Sequence, residues 1–284
     1  MRKHLALRPL LFAGAAALAL AACGQKTEKP AEPAASIEAA PAADEDGAAN
    51  AGDVVDYAAV ADAAIANPAR SAEDRAKDAD RKAKESLTFM EIAPGMTVFD
   101  MEAGAGYYTE LYSHAVGPDG AVVMQNPERF KSFLGDSVAV RLAGGRLANV
   151  RESYSNFDAL DAPDGSVDVI TWVWGPHEIY FHPDGASFGD ATKTYAEIFR
   201  VLKPGGTYIV IDHSAVDGAP ETTGNDLHRI DKVIVMQMAD QAGFTLVSEA
   251  DFLANPEDPR TVGVFDPSIR GHTDQFVLRF RKPE

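Results

Sequence analysis

Residues 98–109, VFDMEAGAGYYT, constrain this chain more than any other stretch. A short apolar run ends in Asp100. Two glycines follow, Gly104 and Gly106, and then a predicted helix begins at Tyr107. This is a strand, a glycine-rich turn and a helix start within about twenty residues. Glycine lets the backbone turn tightly and approach a ligand closely. The free N–H groups of a helix start favour a negatively charged ligand group. The pattern points to a site for a nucleotide-like cofactor.

The surrounding pattern extends this unit. Strands are predicted at 97–101, 121–125, 150–153, 167–174, 207–212, 244–249 and 275–280. Helices are predicted at 53–67, 71–90, 107–115, 127–134, 138–142, 191–202 and 226–242. Strand–helix alternation at this spacing gives an α/β fold with a doubly wound, mostly parallel sheet. Residues 255–271 are rich in Pro, Asp and Gly and carry no helical periodicity. The last strand is therefore expected to pair antiparallel with its predecessor.

The third glycine of a dinucleotide fingerprint is replaced by Thr109, which disfavours a nicotinamide cofactor. Here the chain resembles class I S-adenosylmethionine-dependent methyltransferases, and within them a bacterial family of predicted methyltransferases. The resemblance is carried by Val98-Phe99-Asp100 through Gly106, and by Leu202-Lys203-Pro204-Gly205-Gly206 before the fifth strand. Further blocks are Asn67-Pro68-Ala69-Arg70, Gly106-Tyr107-Tyr108-Thr109-Glu110, Leu227-His228-Arg229-Ile230-Asp231 and Thr273-Asp274-Gln275-Phe276. It implies a Rossmann-like domain over residues 53–284 with S-adenosyl-L-methionine as cofactor. Asp100, Glu102, Gly104, Gly106 and Tyr107 would surround its methionine part, and Gln125 and Asn126 would meet its ribose. Two positions depart from the family pattern. Glu102 stands where most members have glycine, and Gln125-Asn126 stand where an acidic side chain usually takes the ribose hydroxyls.

Acceptor chemistry belongs at the strand ends near the cofactor. A hydroxyl or amine acceptor gains from a general base. His177 after the fourth strand is one candidate; Asp212 with His213 after the fifth is another, the aspartate orienting the imidazole. Trp174, Tyr180, His228 and Arg229 are candidate acceptor contacts, with His182 behind them. His177, Asp212, His213 and His228 lack any close ligand spacing, so no metal site is expected. Arg70, Asp74 and Arg75 read as an ion-paired helix face. Alternatives remain: a non-catalytic envelope binding module that keeps the fold, or a metal-assisted hydrolase.

The chain carries 43 acidic and 26 basic residues, a net charge of -17, which argues against a nucleic-acid partner. Arg2, Lys3 and Arg8 precede an apolar run, residues 9–22, too short to span a bilayer comfortably. It ends Leu20-Ala21-Ala22-Cys23-Gly24, which resembles a bacterial lipobox. The resemblance implies a signal peptide over 1–22, lipid on Cys23 and a membrane anchor facing the periplasm. Gly24 replaces the aspartate that favours inner-membrane retention, which points to the outer membrane. Residues 23–52 then form an Ala/Pro/Glu tether too polar to order itself. The acceptor would be a small molecule or an envelope component. Cys23 is the single cysteine, so no internal disulfide is available. Metabolic labelling with a fatty-acid analogue should mark the chain, and Cys23→Ser should abolish the label and release the protein from membranes.

Overall fold

The computed structural model describes residues 54–284. The expected signal peptide, Cys23 and the tether lie outside the described residues. Seven strands form one sheet: β1 (Thr97–Met101), β2 (Ala121–Asn126), β3 (Val150–Tyr154), β4 (Val167–Val173), β5 (Leu202–His213), β6 (Thr245–Ala250) and β7 (Gln275–Arg281). Their order is β3-β2-β1-β4-β5-β7-β6. The first five run parallel; β7 inserts between β5 and β6 and pairs antiparallel with both. The doubly wound sheet and its antiparallel closing strand match the sequence expectation.

Parallel strands are covered on both faces and therefore read as continuous apolar runs. β1 buries Val98, Phe99 and Met101, and β4 buries Val167, Val169, Ile170 and Trp172. Phe99, Ile170, Trp172, Tyr208 and Val210 belong to the core on one face. Val98, Leu111, Tyr112, Ile209 and Val277 belong to the core on the other. The helices are α1 (Tyr57–Ala66), α2 (Ala72–Arg75), α3 (Ala83–Met90), α4 (Tyr107–Val116), α5 (Phe130–Leu134), α6 (Ser137–Leu142), α7 (Ala191–Val201), α8 (Thr223–Leu227) and α9 (Lys232–Gln241).

Two predicted helices are broken. The expected helix over 71–90 starts as read, with Ser71 Oγ accepting from Asp74 N–H at 3.0 Å. It then opens into turns and restarts after Lys82, whose φ is +47°. The break lets Arg81 reach across to two aromatic rings, 4.4 Å over Tyr107 and 4.4 Å over Trp174. The expected helix over 226–242 is two helices: α8 ends at His228 with φ +52°, and Asp231 caps α9 by accepting from Val233 N–H.

Arg229 sits in this second break and is corrected from a candidate acceptor contact to a structural residue. Its guanidinium is fully buried. It donates to both carboxylate oxygens of Asp258, at 2.8 and 3.1 Å, and to the carbonyls of Ser214 and Val262. Asp258 also accepts from the backbone N–H groups of Arg260 and Asp274. This ties the segment between β6 and β7 to the end of β5. Arg229→Ala leaves that carboxylate buried without its cation, and should cost about 3–5 kcal/mol, read as a lowered denaturation midpoint.

Candidate active site

The parallel pairing brings the C-terminal ends of β1, β2, β4 and β5 side by side. The glycine turn leaves β1 there. Glu102 has φ +52° and Gly104 φ +56°. Gly106, with φ +81°, caps α4. A side chain at Gly104 would extend into open space at the wall of the site. The turn is braced from β2: Gln125 Oε1 accepts from Glu102 N–H at 2.9 Å, and its Nε2 donates to Ser155 O at 2.6 Å. Asn126 both accepts from Gly104 N–H and donates to Gly104 O.

This corrects two expectations. Gln125 and Asn126 are buried, with their amides committed to the turn rather than turned out toward a ribose. Four of the turn's own N–H groups are also occupied: those of Glu102 and Gly104 by these amides, that of Ala103 by Gln125 O and that of Gly106 by Ala103 O. The charges beside the turn come from side chains.

Those side chains line a cavity of about 190 Å³ beside the turn: Asp74, Lys77, Arg81, Asp100, Tyr107 and Arg141, among others. Asp100 is the penultimate residue of β1, where its carboxylate accepts from Thr109 Oγ1 at 2.5 Å and Thr171 Oγ1 at 3.3 Å. Burial pushes its pKa up to about 7, against the lowering effect of these bonds. Tyr107 OH donates to Asp78 at 2.7 Å, and Asp78 forms a two-point pair with Arg70. Arg141 pairs with Asp74 and Glu110 and donates to Ala105 O at 2.9 Å. The charged run read as an ion-paired face thus docks α2 and its following turns over the glycine turn; Arg75 caps the carbonyls of Asn67 and Arg70.

A second cavity of about 600 Å³ adjoins the first, and Glu102, Gly104, Val173 and Trp174 line both. Phe130, Phe133, Phe181, Phe188 and Phe265 give it aromatic walls, while His177, Glu178, His213 and His228 supply polar groups. Phe133 and Phe265 are 84% and 63% exposed, so its rim is apolar. Trp174 holds φ +62°, stacks on His213 at 5.5 Å, and donates from Nε1 to Gln275.

Asp212 pairs with a different histidine from the one expected. Its Oδ2 accepts from His177 N–H at 2.9 Å and its Oδ1 faces His177 Nδ1 at 2.7 Å. The His213 ring instead meets Thr273 Oγ1 through Nδ1 at 2.7 Å; only the His213 backbone N–H reaches Asp212. Burial alone would lower the His177 pKa. The Asp212 and Glu178 carboxylates outweigh it and push the group up to about 10. His213 goes the other way, held well below its usual value by burial and by neighbouring His177, Arg229 and His228. It is a neutral imidazole beside a charged one. When its Nδ1–H donates to Thr273, Nε2 carries the free lone pair.

Tyr180 stands apart from this group. It lines a separate surface cavity with His182 and packs against α8. Sequence reasoning missed four of the charged residues that line the two cavities: Glu178, Arg81, Lys77 and Arg141. Glu178 was hidden beside His177, and Arg81 was one charge among many in its run. The only available signal was the adjacency of His177 and Glu178.

The strand order with its glycine turn after β1 is the fold of class I S-adenosylmethionine-dependent methyltransferases. Solved structures agree. A SAM dependent methyltransferase from Aquifex aeolicus superimposes with a TM-score of 0.53 at 20% identity, over 74% of this chain and 94% of that one. Haemonchus contortus phosphoethanolamine N-methyltransferase 2, in complex with S-adenosyl-L-methionine, gives 0.53 at 13%, over 70% of this chain and 51% of that one. The model of the ubiE/COQ5 methyltransferase family matches residues 79–247, and the chain belongs to that family. The ubiquinone/menaquinone biosynthesis C-methyltransferase UbiE of Marinomonas sp. (strain MWYL1) is 29% identical over 190 residues, 66% of this chain and 64% of the relative. The match thus spans just under two thirds of that relative's length. The corresponding Hydrogenovibrio crunogenus protein is 25% identical over 197 residues, 69% of this chain and 67% of its own.

Glu102 is buried with its carboxyl accepting from Trp172 Nε1 at 2.9 Å. Burial, and then the charge of Glu178, hold its pKa well above the ordinary carboxylate value. A raised folded-state pKa favours the protonated form in the fold, so the contribution of Glu102 to stability is fullest at low pH. It declines above the unfolded value near 4.5 by at most about 1.4 kcal/mol per pH unit. Glu102→Gln should flatten that decline in a series of melts from pH 4 to 8.

Proposed function

We propose that this protein is an S-adenosylmethionine-dependent methyltransferase whose acceptor is a flat, largely apolar molecule carrying an ionisable hydroxyl. The observation that carries this reading is the shared wall of the two cavities at Glu102, Gly104, Val173 and Trp174. The smaller cavity presents both signs of charge, which suits the ammonium and carboxylate of a methionine head group. Asp74 and Asp100 would face its cationic part; Lys77, Arg81 and Arg141 would face its carboxylate. Bound there, the cofactor supplies an electrophilic methyl group at the junction. The aromatic cavity on the other side suits the acceptor, and its size falls within the range of small-molecule sites.

The acceptor's proton has a base to go to. Neutral His213 lines the aromatic cavity and can take a proton from a hydroxyl, leaving an oxyanion or its carbon-nucleophile resonance form. His177, held as a cation by Asp212, stabilises that negative charge. The remaining gain comes from holding acceptor and methyl donor in line. Relatives named for ubiquinone and menaquinone biosynthesis support an aromatic, hydroxylated acceptor. The lipobox-like segment supports an envelope-anchored protein, with its acceptor drawn from the membrane surface.

A non-catalytic binding module is the second reading. The four internally occupied N–H groups of the glycine turn favour it, because they leave the backbone fewer contacts for a cofactor.

Calorimetry with S-adenosylmethionine and S-adenosylhomocysteine separates the two. Binding should be abolished by Gly104→Val, and transfer of a labelled methyl group to a lipophilic dihydroxy-aromatic acceptor should depend on His213. A cationic ligand favours ionised Asp100, so affinity should rise about tenfold from pH 6 to pH 8, and Asp100→Asn should remove that rise. A folded protein that binds neither cofactor form would leave the binding module standing.

A further inference from the structure

His177 and Glu178 lie on a short 3-10 turn, Pro176–Tyr180, that follows β4. His228 ends α8. Their donor atoms converge, although 50 residues separate the histidines. Glu178 Oε1 is 3.4 Å from His177 Nε2 and 3.4 Å from His228 Nδ1. One donor atom from each of the three residues lies within 4.8 Å of the others. We propose that His177 Nε2, Glu178 and His228 Nδ1 bind a divalent transition ion of the zinc or iron(II) class, with its remaining positions open to the aromatic cavity.

The distances carry the first argument. Charge-assisted hydrogen bonds between nitrogen and carboxylate oxygen close to about 2.7–2.9 Å. The two 3.4 Å separations are too long for that. They match the edge of a tetrahedron around an ion with bonds of about 2.0–2.2 Å to nitrogen and oxygen. Two of the three edges of a coordination face are therefore already at length, and only the histidine–histidine edge has to close.

The surroundings carry the second argument. Asp212 grips His177 at Nδ1, on the far side of the ring from Nε2. This is the carboxylate–histidine–metal relay that fixes a ligand's orientation and tautomer; the ion displaces the Nε2 proton of His177 and takes the place of the imidazolium charge beside the acceptor. Glu178 Oε2 is buried and has no hydrogen-bond partner among the described residues. A second carboxylate oxygen left bare in a buried site is the group an ion would satisfy. His228 is wedged between Phe181 at 4.4 Å and Phe265 at 5.1 Å.

The two ligand-bearing elements are also locked together. A Cβ on Gly224 of α8 would lie 2.5 Å from His177 O and 3.0 Å from Tyr180 Cβ. Only glycine lets α8 seat this closely on the 3-10 turn. The donor set is thus preorganised by packing, as an ion site requires.

Two imidazoles and one carboxylate suit zinc or iron(II) rather than magnesium or calcium, which prefer all-oxygen sites. Three protein ligands leave at least one position free. That position faces the aromatic cavity, lined also by Glu102 and His213. An acceptor hydroxyl bound there would be held as its oxyanion, its proton passing to His213. This last role rests on the methyltransferase reading; the ion site itself does not.

The test uses tag-free purified protein loaded with Zn2+, Fe2+ under anaerobic conditions, Mn2+ or Mg2+, then desalted. One equivalent of zinc or iron per chain should be retained, and Mg2+ should not. X-ray absorption of the loaded wild type should show imidazole nitrogens and oxygen at about 2.0–2.2 Å. Glu178→Gln and His228→Ala should lose the ion, Asp212→Asn should weaken it about 10–100-fold, and His272→Ala, exposed and remote in sequence, should retain it. Circular dichroism and melting without metal establish that each variant is folded. No stoichiometric ion on the wild type, or an absorption spectrum without imidazole, would falsify the site whatever the variants do. Cofactor affinity measured separately keeps the two readings apart: an ion without cofactor binding sinks the methyltransferase, and cofactor without an ion sinks only this site.

Discussion

The buried carboxylate of Asp212 is the interaction on which the rest of the site depends. It is fully shielded from solvent at the end of β5. It accepts from two backbone N–H groups, those of His177 and His213, and holds the His177 ring. An unpaired carboxylate in that position would be costly. With these partners it ties the turn after β4 to the end of β5. The orientation of His177 follows from it, and so do the place of Glu178 and the seat on which α8 docks. Two strands that merely pair in a parallel sheet become the floor of a site.

The junction between the two cavities is built from backbone under strain. Glu102 and Trp174 both occupy the left-handed region, which side-chain-bearing residues seldom adopt. Such conformations cost about 1–3 kcal/mol each and persist only where the surroundings hold them. Glu102 is held by Gln125 at its N–H and by Trp172 at its carboxyl. Trp174 is held by Ile211 O at its N–H and by Gln275 at its indole. The glycine turn differs from an anion-binding loop for the same reason. Most of its amides stabilise its own shape, and the charges beside it come from Asp74 of α2, from Lys77 and Arg81 in the turns that follow, and from Arg141 of α6.

Much of the fold was legible in the sequence. The seven strands fall close to where apolar runs and turn residues place them; the central strands β1, β2 and β4 are covered on both faces and have no polar side to obscure them, whereas the edge strands β3 and β6 expose part of theirs. The Pro- and Asp-rich stretch before β7 correctly announced an antiparallel closing strand. What the chain concealed was the interruption of helices. Ser71 and Asp74 start a helix as capping residues should, yet the helix breaks so that Arg81 can stack between Tyr107 and Trp174. The break at His228 likewise serves contacts from β5 and from the segment after β6. Local propensity is worth tenths of a kcal/mol per residue and yields to such packing.

The sequence by itself determined the layered α/β architecture, the glycine turn at the end of β1, and the candidate residues His177, Asp212, His213 and His228. These follow from short-range patterns: alternation, capping and the chemistry of side chains at strand ends. Only the tertiary structure decided which of them meet. It gave Asp212 to His177 rather than to the His213 ring, buried Arg229 against Asp258, turned Gln125 and Asn126 inward, and added Glu178 to the two histidines. The physical reason is that hydrogen-bond partners are chosen by distance in space. Residues 35 to 70 positions apart along this chain are brought within reach only when β1, β4 and β5 register against one another and α8 closes over the turn between them.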